Sequence, residues 1–309
     1  AQKCLKNRTR AYLKIQEGCN KYCSYCIIPF TRGNIRSRNP EDVILEVEQL
    51  AKNGFKEVVL TGIHILSYGV DLKPDENNNK INLIKIIKRV HEVEGIERIR
   101  FSSIEPVVIT DEFISEIKNL PKVCDHYHLS LQSGCDNTLN RMNRKYTSED
   151  YKNALVKLRE AFPNVAITTD VIVGFPDETL EDYQDSFNFV EQNKITKVHA
   201  FPYSPKKGTK ASLFKNQIPN DEKSGRNKKM IELSNKLNIE FLESMLNKTM
   251  PVLFERERED NVYEGHTTNY IKVLTRSEEN IVNKIIDVEL LSIQENATET
   301  VFGEIINNK

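Results

Sequence analysis

Three cysteines fall within eight positions in the run Cys19-Asn20-Lys21-Tyr22-Cys23-Ser24-Tyr25-Cys26. This C-x3-C-x2-C spacing lets Cys19, Cys23 and Cys26 wrap one face of an iron–sulfur cube, which normally takes four Cys ligands. Three ligands leave one iron open for a small molecule. The same residues could instead hold zinc with a fourth ligand elsewhere, or be plain buried cysteines. Zinc sites more often pair C-x2-C with a second such pair or with two histidines, and neither follows downstream. The other cysteines, Cys4, Cys124 and Cys135, lack ligand spacing and read as small buried side chains.

Alternating elements must position that loop. Short β-rich runs at 11–16, 57–61, 98–103, 126–131, 166–172 and 197–202 alternate with helical stretches at 40–53, 82–92, 110–119, 148–161 and 180–192. The helices carry apolar residues three to four apart, as in Val43, Val47 and Leu50. Asn39-Pro40-Glu41-Asp42 and Thr147-Ser148-Glu149-Asp150 have the cap and early acids of helix starts. Six strands alternating with helices predict an α/β chain with a parallel sheet, as an open, partial (β/α)6 barrel or, second, a doubly wound sheet. Either places ligands at the carboxyl ends of the strands, where the cysteine loop falls.

The rest divides by composition. Residues 1–10 form a basic arm and 11–203 the α/β core. Residues 204–247 read as a surface linker and a basic helix, and 248–309 alternate as four or five antiparallel strands of a small β-barrel. Residues 1–40 hold nine Lys and Arg against one acid, and 206–229 hold eight against two, so both could flank an electropositive mouth for a polyanion. Residues 248–309 reverse the sign, with seven basic and twelve acidic residues. With no apolar run of about 20 residues and no leader-like start, a cytoplasmic protein without a membrane span is expected.

A C-x3-C-x-(aromatic)-C loop after the first strand of a partial barrel resembles the radical S-adenosylmethionine (radical SAM) enzymes, with Tyr25 as the aromatic. GCNKYCSYCIIPFTRGNIRSR, SLQSGCDNTLNRMNRKYT and TTDVIVGFPDET are similar to stretches of the radical SAM methylthiotransferases, and the tail resembles their RNA-binding TRAM barrel. VVLTGIHILSYG, RIRFSSIEP and HLSLQSGCD are similar to the branch acting on N6-threonylcarbamoyladenosine in tRNA. The alternatives are the branches acting on isopentenyladenosine or on a ribosomal-protein aspartate, and, in another class, a metal-stabilised RNA-binding module without turnover.

The resemblance implies a 4Fe-4S cluster on Cys19, Cys23 and Cys26 and S-adenosylmethionine as cofactor. It implies hydrogen abstraction from C2 of the modified adenosine at tRNA position 37, then sulfur insertion and methylation from a second S-adenosylmethionine. By motif position, Tyr25, Thr61, Gly62, Ser103, Glu105, Gln132, Arg144 and Val171 to Gly174 are implied to surround that cofactor. Gly62 is expected to let the ligand approach the main chain. Arg32, Arg36, Arg38, Lys272 and Arg276 are candidates for RNA contact, with Tyr263 and Tyr270 for base stacking. The implied partners are the tRNA anticodon stem-loop and a reductant such as flavodoxin or ferredoxin. Full-length methylthiotransferases hold a second 4Fe-4S cluster in an N-terminal domain that delivers sulfur. This chain begins about eighteen residues before the radical motif, so that domain is expected to be absent and sulfur insertion to be incomplete. Asp177 in GFPDET stands where the family usually has Gly, and is expected to tolerate a positive φ.

Overall fold

Period-two burial sets the first strand. In a computed structural model, which describes residues 9–76, 78–294 and 298–306, β1 (Arg10–Glu17) buries Ala11, Leu13 and Ile15 and leaves Tyr12 and Lys14 on the open side. It is followed by α1 (Ile28–Arg32), β2 (Arg36–Ser37) and α2 (Pro40–Lys52). Asn39 caps α2 by accepting from the Glu41 backbone N–H at 2.9 Å, and Val43, Val47 and Leu50 form its buried stripe. Next come β3 (Glu57–Gly62) with α3 (Leu83–Glu92), and β4 (Arg98–Phe101) with α4 (Asp111–Ile117). After β5 (His126–His128) lie α5 (Asp136–Arg141) and α6 (Ser148–Ala161), then β6 (Ala166–Val173), α7 (Leu180–Gln192) and β7 (Lys197–Pro202). Thr147 and Thr179 start α6 and α7 with reciprocal capping boxes.

Strands β1, β3 and β4 pair in parallel, as do β5, β6 and β7. Between these sheets, Ile99 bridges Val123 and Ile104 bridges Leu129, both in parallel sense. The six expected strands therefore run side by side in chain order around an open arc. The arc also has an antiparallel edge, β2 on β1, which two residues are too few to announce by alternation.

Helix α8 (Asn220–Met245) leads to β8 (Thr249–Glu257), β9 (Val262–Thr267), β10 (Lys272–Arg276), β11 (Ile285–Ile293) and β12 (Thr300–Ile305), which close into a barrel in the order β10-β12-β11-β8-β9. Four of its pairings are antiparallel, but β10 and β12 run parallel. The expected all-antiparallel barrel is corrected at that seam. Met250, Val252, Phe254, Val273, Val288 and Leu290 fill it, capped by Leu242 and Met245 of α8.

The small barrel closes the amino-terminal end of the core strands. Arg98 donates to the carbonyls of His266 and Pro251, and Arg100 to those of Thr267 and Thr268, all at 2.7 Å. Tyr270, at φ 72°, lies stacked between His126 and His266 at 4.9 and 4.8 Å. The stacking role expected for the two tyrosines is therefore corrected. Tyr263 is inside the small barrel's core, and Tyr270 is committed to the junction between the barrel and the α/β core.

The expected surface linker is exposed along most of its length, with two residues pinned inward. Ala211 is fully buried and Thr209 nearly so, because Ala211 packs in a cluster with Met142, Phe175 and Tyr203. Within the basic helix, Lys223 and Arg226 are buried, and Arg226 binds Glu178 at 2.6 Å.

Asp182 at the start of α7 ties α5 to it. Its carboxylate accepts from Arg141 at 2.6 Å, the Cys135 thiol at 3.2 Å and the Thr179 N–H at 3.1 Å. Burial pushes this carboxyl up, but the donors, Arg141 first, outweigh it and hold it at about 2. A lowered folded-state pKa contributes stability above the unfolded value of about 3.9 and loses it as pH falls toward 2. Asp182→Asn is expected to cost about 2 kcal/mol in urea unfolding at pH 7. The gap should narrow between pH 4 and 2, and a gap independent of pH would refute this.

Candidate functional site

After β1, Gly18 turns the chain at φ +73°, in a space where a Cβ would overlap the Asn34 carbonyl. The loop that follows is held by its backbone. Cys19 N–H donates to Gly33 O at 3.1 Å, Ser24 N–H to Met142 O at 3.0 Å and Cys26 N–H to Cys23 O at 3.0 Å. The Ser24 hydroxyl donates to Arg141 O at 2.8 Å. Cys19, Cys23 and Cys26 are half-buried free thiols, and burial pushes the Cys19 and Cys26 thiols up. Cys4 lies outside the described residues, and Cys124 and Cys135 are buried.

Five of the expected site residues meet in one network. Tyr25 donates its hydroxyl proton to Gln132 Oε1 at 3.1 Å. Arg144 sets Nη1 3.3 Å from the Cys23 sulfur and Nη2 3.0 Å from Glu105 Oε1. The other Glu105 oxygen faces Lys21 at 3.3 Å and His64 Nε2 at 3.4 Å. Burial raises the Glu105 carboxyl, but the His64 hydrogen bond and the Arg144 charge bring it down to about 2, so Arg144 has a permanent anionic partner. Lys21, His64 and Tyr146, whose hydroxyl accepts from Arg144 Nε at 3.0 Å, were not among the expected residues. All three lie inside the stretches that carry the family likeness, but none stood out there as a site residue.

A Cβ on Gly62 would come within 2.7 Å of Ile65 and 2.9 Å of Gln16 Oε1, and that oxygen accepts from His64 N–H at 2.8 Å. The glycine thus makes room for Gln16. The Val171 side chain belongs to the main hydrophobic core. Its neighbour Ile172 packs toward the Tyr25 and Phe175 cluster, and Ile172 N–H donates to Gln132 O at 2.9 Å. Gly174 takes φ +67° and donates its N–H to Glu178 at 2.8 Å. Asp177 does adopt a positive φ, 64°.

The RNA candidates divide. Arg32 and Arg36 share Glu17 at 3.4 and 3.7 Å, and Arg38 pairs with Glu46 at 2.8 Å. Lys272 lines a cavity of about 200 Å³ between core and small barrel, and Arg276 is exposed at the end of β10. Neither Lys272 nor Arg276 is gathered around the cysteine loop.

Thr61 and Ser103 rim a second cavity of about 410 Å³ inside the arc. Its walls include Tyr12, Ser102, His128 and Asp170, with Arg10, Arg100 and Tyr270 below. His128 Nε2 lies 3.2 Å from Asp170 Oδ2. The size falls in the range of small-molecule pockets.

Among the described residues no three His, Cys, Asp or Glu side chains gather around a single ion, the three loop cysteines included. The donor set fits an iron–sulfur cluster. Three unpaired thiols lie on one backbone-fixed loop, and a buried guanidinium offsets thiolate charge at Cys23.

A six-strand parallel arc with a three-cysteine loop at the carboxyl end of its first strand defines a class, and the comparisons agree. The radical SAM superfamily model matches residues 13–190, and the chain belongs to that superfamily, in its methylthiotransferase family. It is 41% identical over 308 residues to the threonylcarbamoyladenosine tRNA methylthiotransferase MtaB of Bacillus subtilis (strain 168), covering 98% of this chain and 67% of that protein. It is also 41% identical over 297 residues to the tRNA-2-methylthio-N(6)-dimethylallyladenosine synthase of Caldicellulosiruptor saccharolyticus, covering 96% and 61%. The chain thus spans about two thirds or less of these relatives. A radical S-adenosylmethionine methyltransferase structure, TsrM from Kitasatospora setae with cobalamin and a 4Fe-4S cluster bound, superposes with a TM-score of 0.53 over 67% of this chain and 39% of that one. At 14% identity it shows the fold alone. Among the described residues no helix is long and apolar enough to cross a membrane.

The family implies a 4Fe-4S cluster and S-adenosylmethionine, which when bound supply a carbon radical able to take hydrogen from an unactivated position. The chain's own part is to bind, orient and exclude water. Cys19, Cys23 and Cys26 would hold the cluster. Arg144 fixes Cys23, while Glu105, held by Arg144, Lys21 and His64, is a rigid anionic edge beside it.

Proposed function

We propose that this chain is the radical and RNA-recognition part of a cytoplasmic tRNA methylthiotransferase acting at C2 of N6-threonylcarbamoyladenosine at position 37. Tyr25, Thr61, Ser103, Glu105, Gln132, Arg144 and the backbone of Gly62 and Val171–Gly174 surround S-adenosylmethionine. The barrel at 248–309 is TRAM-like and assists RNA binding. Flavodoxin or ferredoxin supplies electrons, and a second 4Fe-4S cluster resides in the part of the longer relatives outside the stretch that this chain matches.

The observation that carries the choice of substrate is the set of polar groups placed in the otherwise largely apolar wall of the 410 Å³ cavity. The Tyr12 and Ser102 hydroxyls and the His128–Asp170 pair need hydrogen-bonding partners when water leaves. A threonylcarbamoyl group brings a urea, a hydroxyl and a carboxylate. An isopentenyl group brings none and would strand those groups dry. Equal identity to the dimethylallyladenosine synthase keeps a second reading, in which isopentenyladenosine is the substrate.

Nucleoside mass spectrometry of tRNA from cells lacking the full gene tests this. The methylthio group is expected to vanish from threonylcarbamoyladenosine and to persist on isopentenyladenosine. The reverse pattern would establish the second reading. In binding, a stem-loop carrying threonylcarbamoyladenosine should outcompete one carrying isopentenyladenosine by about tenfold or more.

A further inference from the structure

The positive charge beside the cysteine loop lies on a segment that sequence composition marks as a tether. Residues 204–217 are clasped onto the loop. Ala211 N–H donates to Ser24 O at 2.8 Å, between Cys23 and Tyr25, and Asn216 O accepts from Asp177 N–H at 2.9 Å. Thr209 closes a turn by donating its hydroxyl to Lys206 O at 2.7 Å, and Ser212 donates to Thr209 O at 2.7 Å. Phe214 packs edge-on against Phe175. With this backbone fixed, Lys206, Lys207 and Lys210 stand exposed, and Leu213 is 82% exposed.

Charge partners separate these lysines from the other cations near the loop. Arg32 and Arg36 are drawn to Glu17, Arg38 to Glu46 and Lys21 to Glu105. Lys206, Lys207 and Lys210 have no ion-pair partner among the described residues. Across the loop, exposed Lys145 is steadied by Asn143, which in turn donates to Tyr22 O at 2.9 Å.

We infer that residues 204–217 are a rigid basic arm that grips the phosphate backbone of the RNA strand whose base enters the arc, with Lys206, Lys207 and Lys210 each neutralising a phosphate. The inference rests on the tRNA reading above and assigns the grip to residues that reading did not use. Unpaired lysines are the cations from which phosphates displace only counterions and water. Because the arm is hydrogen-bonded into the cysteine loop, its ordering cost is met on folding, and a strand held there is in register with the chemistry.

The test is fluorescence anisotropy of the full chain with an anticodon stem-loop RNA over a series of salt concentrations. A single-stranded contact contributes about 0.7 to the slope of log affinity against log salt, and a duplex contact about 0.9. The variant K206Q/K207Q/K210Q should therefore bind with a slope about 2 units shallower, and at least about tenfold more weakly at low salt. K228Q/K229Q, on the exposed face of α8, should match the wild type. If the triple variant keeps the wild-type slope while the wild type binds, the arm is refuted and the RNA reading stands. If K228Q/K229Q loses as much, binding follows net charge and the arm is refuted likewise. If the wild-type chain shows no salt-dependent RNA binding, both fall.

Discussion

Serine at Cys19, Cys23 and Cys26 together is expected to give a folded chain that takes up no iron and leaves S-adenosylmethionine uncleaved under strong reductant. The loop owes its shape to backbone bonds from Cys19 to Gly33, Ser24 to Met142, Cys26 to Cys23 and Ala211 to Ser24. None of these runs through sulfur. The ligand sulfurs accept from groups that do not depend on them, Cys23 from Arg144 and Cys19 and Cys26 from the Lys21 and Ile28 backbone N–H groups, and the Arg144 guanidinium keeps Glu105 as a partner. Removing half-exposed thiols therefore falls among surface changes of about 0.5 kcal/mol or less, while the soft ligands that iron requires are gone. Iron analysis after anaerobic reconstitution, with a thermal melt, separates the two effects. Serine at buried Cys124 and Cys135 serves as the comparison and should leave iron uptake intact. Iron retained by the triple variant would place any cluster elsewhere and undo the assignment.

What the sequence made legible follows from the range of the forces involved. The six core strands and the long helices are local patterns, since burial every second or every third to fourth residue is written in consecutive positions. The cysteine loop is likewise one short segment. Helix α5 is six residues long and β2 only two, below what a period can declare. The partners of charged groups were hidden because they are distant in sequence. Arg226 reads as one more cation in a basic run until Glu178, 48 positions away, is folded against it. At Gly62 the close neighbour is Gln16, 46 positions earlier, which gives no sign in the sequence that it will cross over to His64. Tyr263 and Tyr270 offered the same ambiguity, as aromatic side chains serve equally as barrel filling, as mortar between domains or as a stacking platform.

At the opposite end of the arc, Glu57→Gln should be the most destabilising single change among the charged residues. Glu57 is fully buried and receives Arg100 Nε at 2.8 Å and Arg10 Nε on the same oxygen, with Arg98 at 4.0 Å. Burial alone would push this carboxyl up. The Arg100, Arg10 and Arg98 charges outweigh it and hold it below the usual range, so its contribution is present above the unfolded value of about 4.3 and lost as pH falls. A neutral amide leaves Arg98 and Arg100 buried, each only 3% exposed, with no countercharge of equal proximity. Breaking such a pair from one side costs about 3–5 kcal/mol, a large part of an ordinary folding free energy of about 5–15 kcal/mol. The damage should spread to the small barrel, since these two arginines hold the carbonyls of Pro251, His266, Thr267 and Thr268. Chemical denaturation should show the loss, and limited proteolysis should release the 248–309 barrel earlier than in the wild type. A variant as stable as the parent, with the barrel equally protected, would mean that the guanidinium-to-carbonyl bonds hold the junction without Glu57.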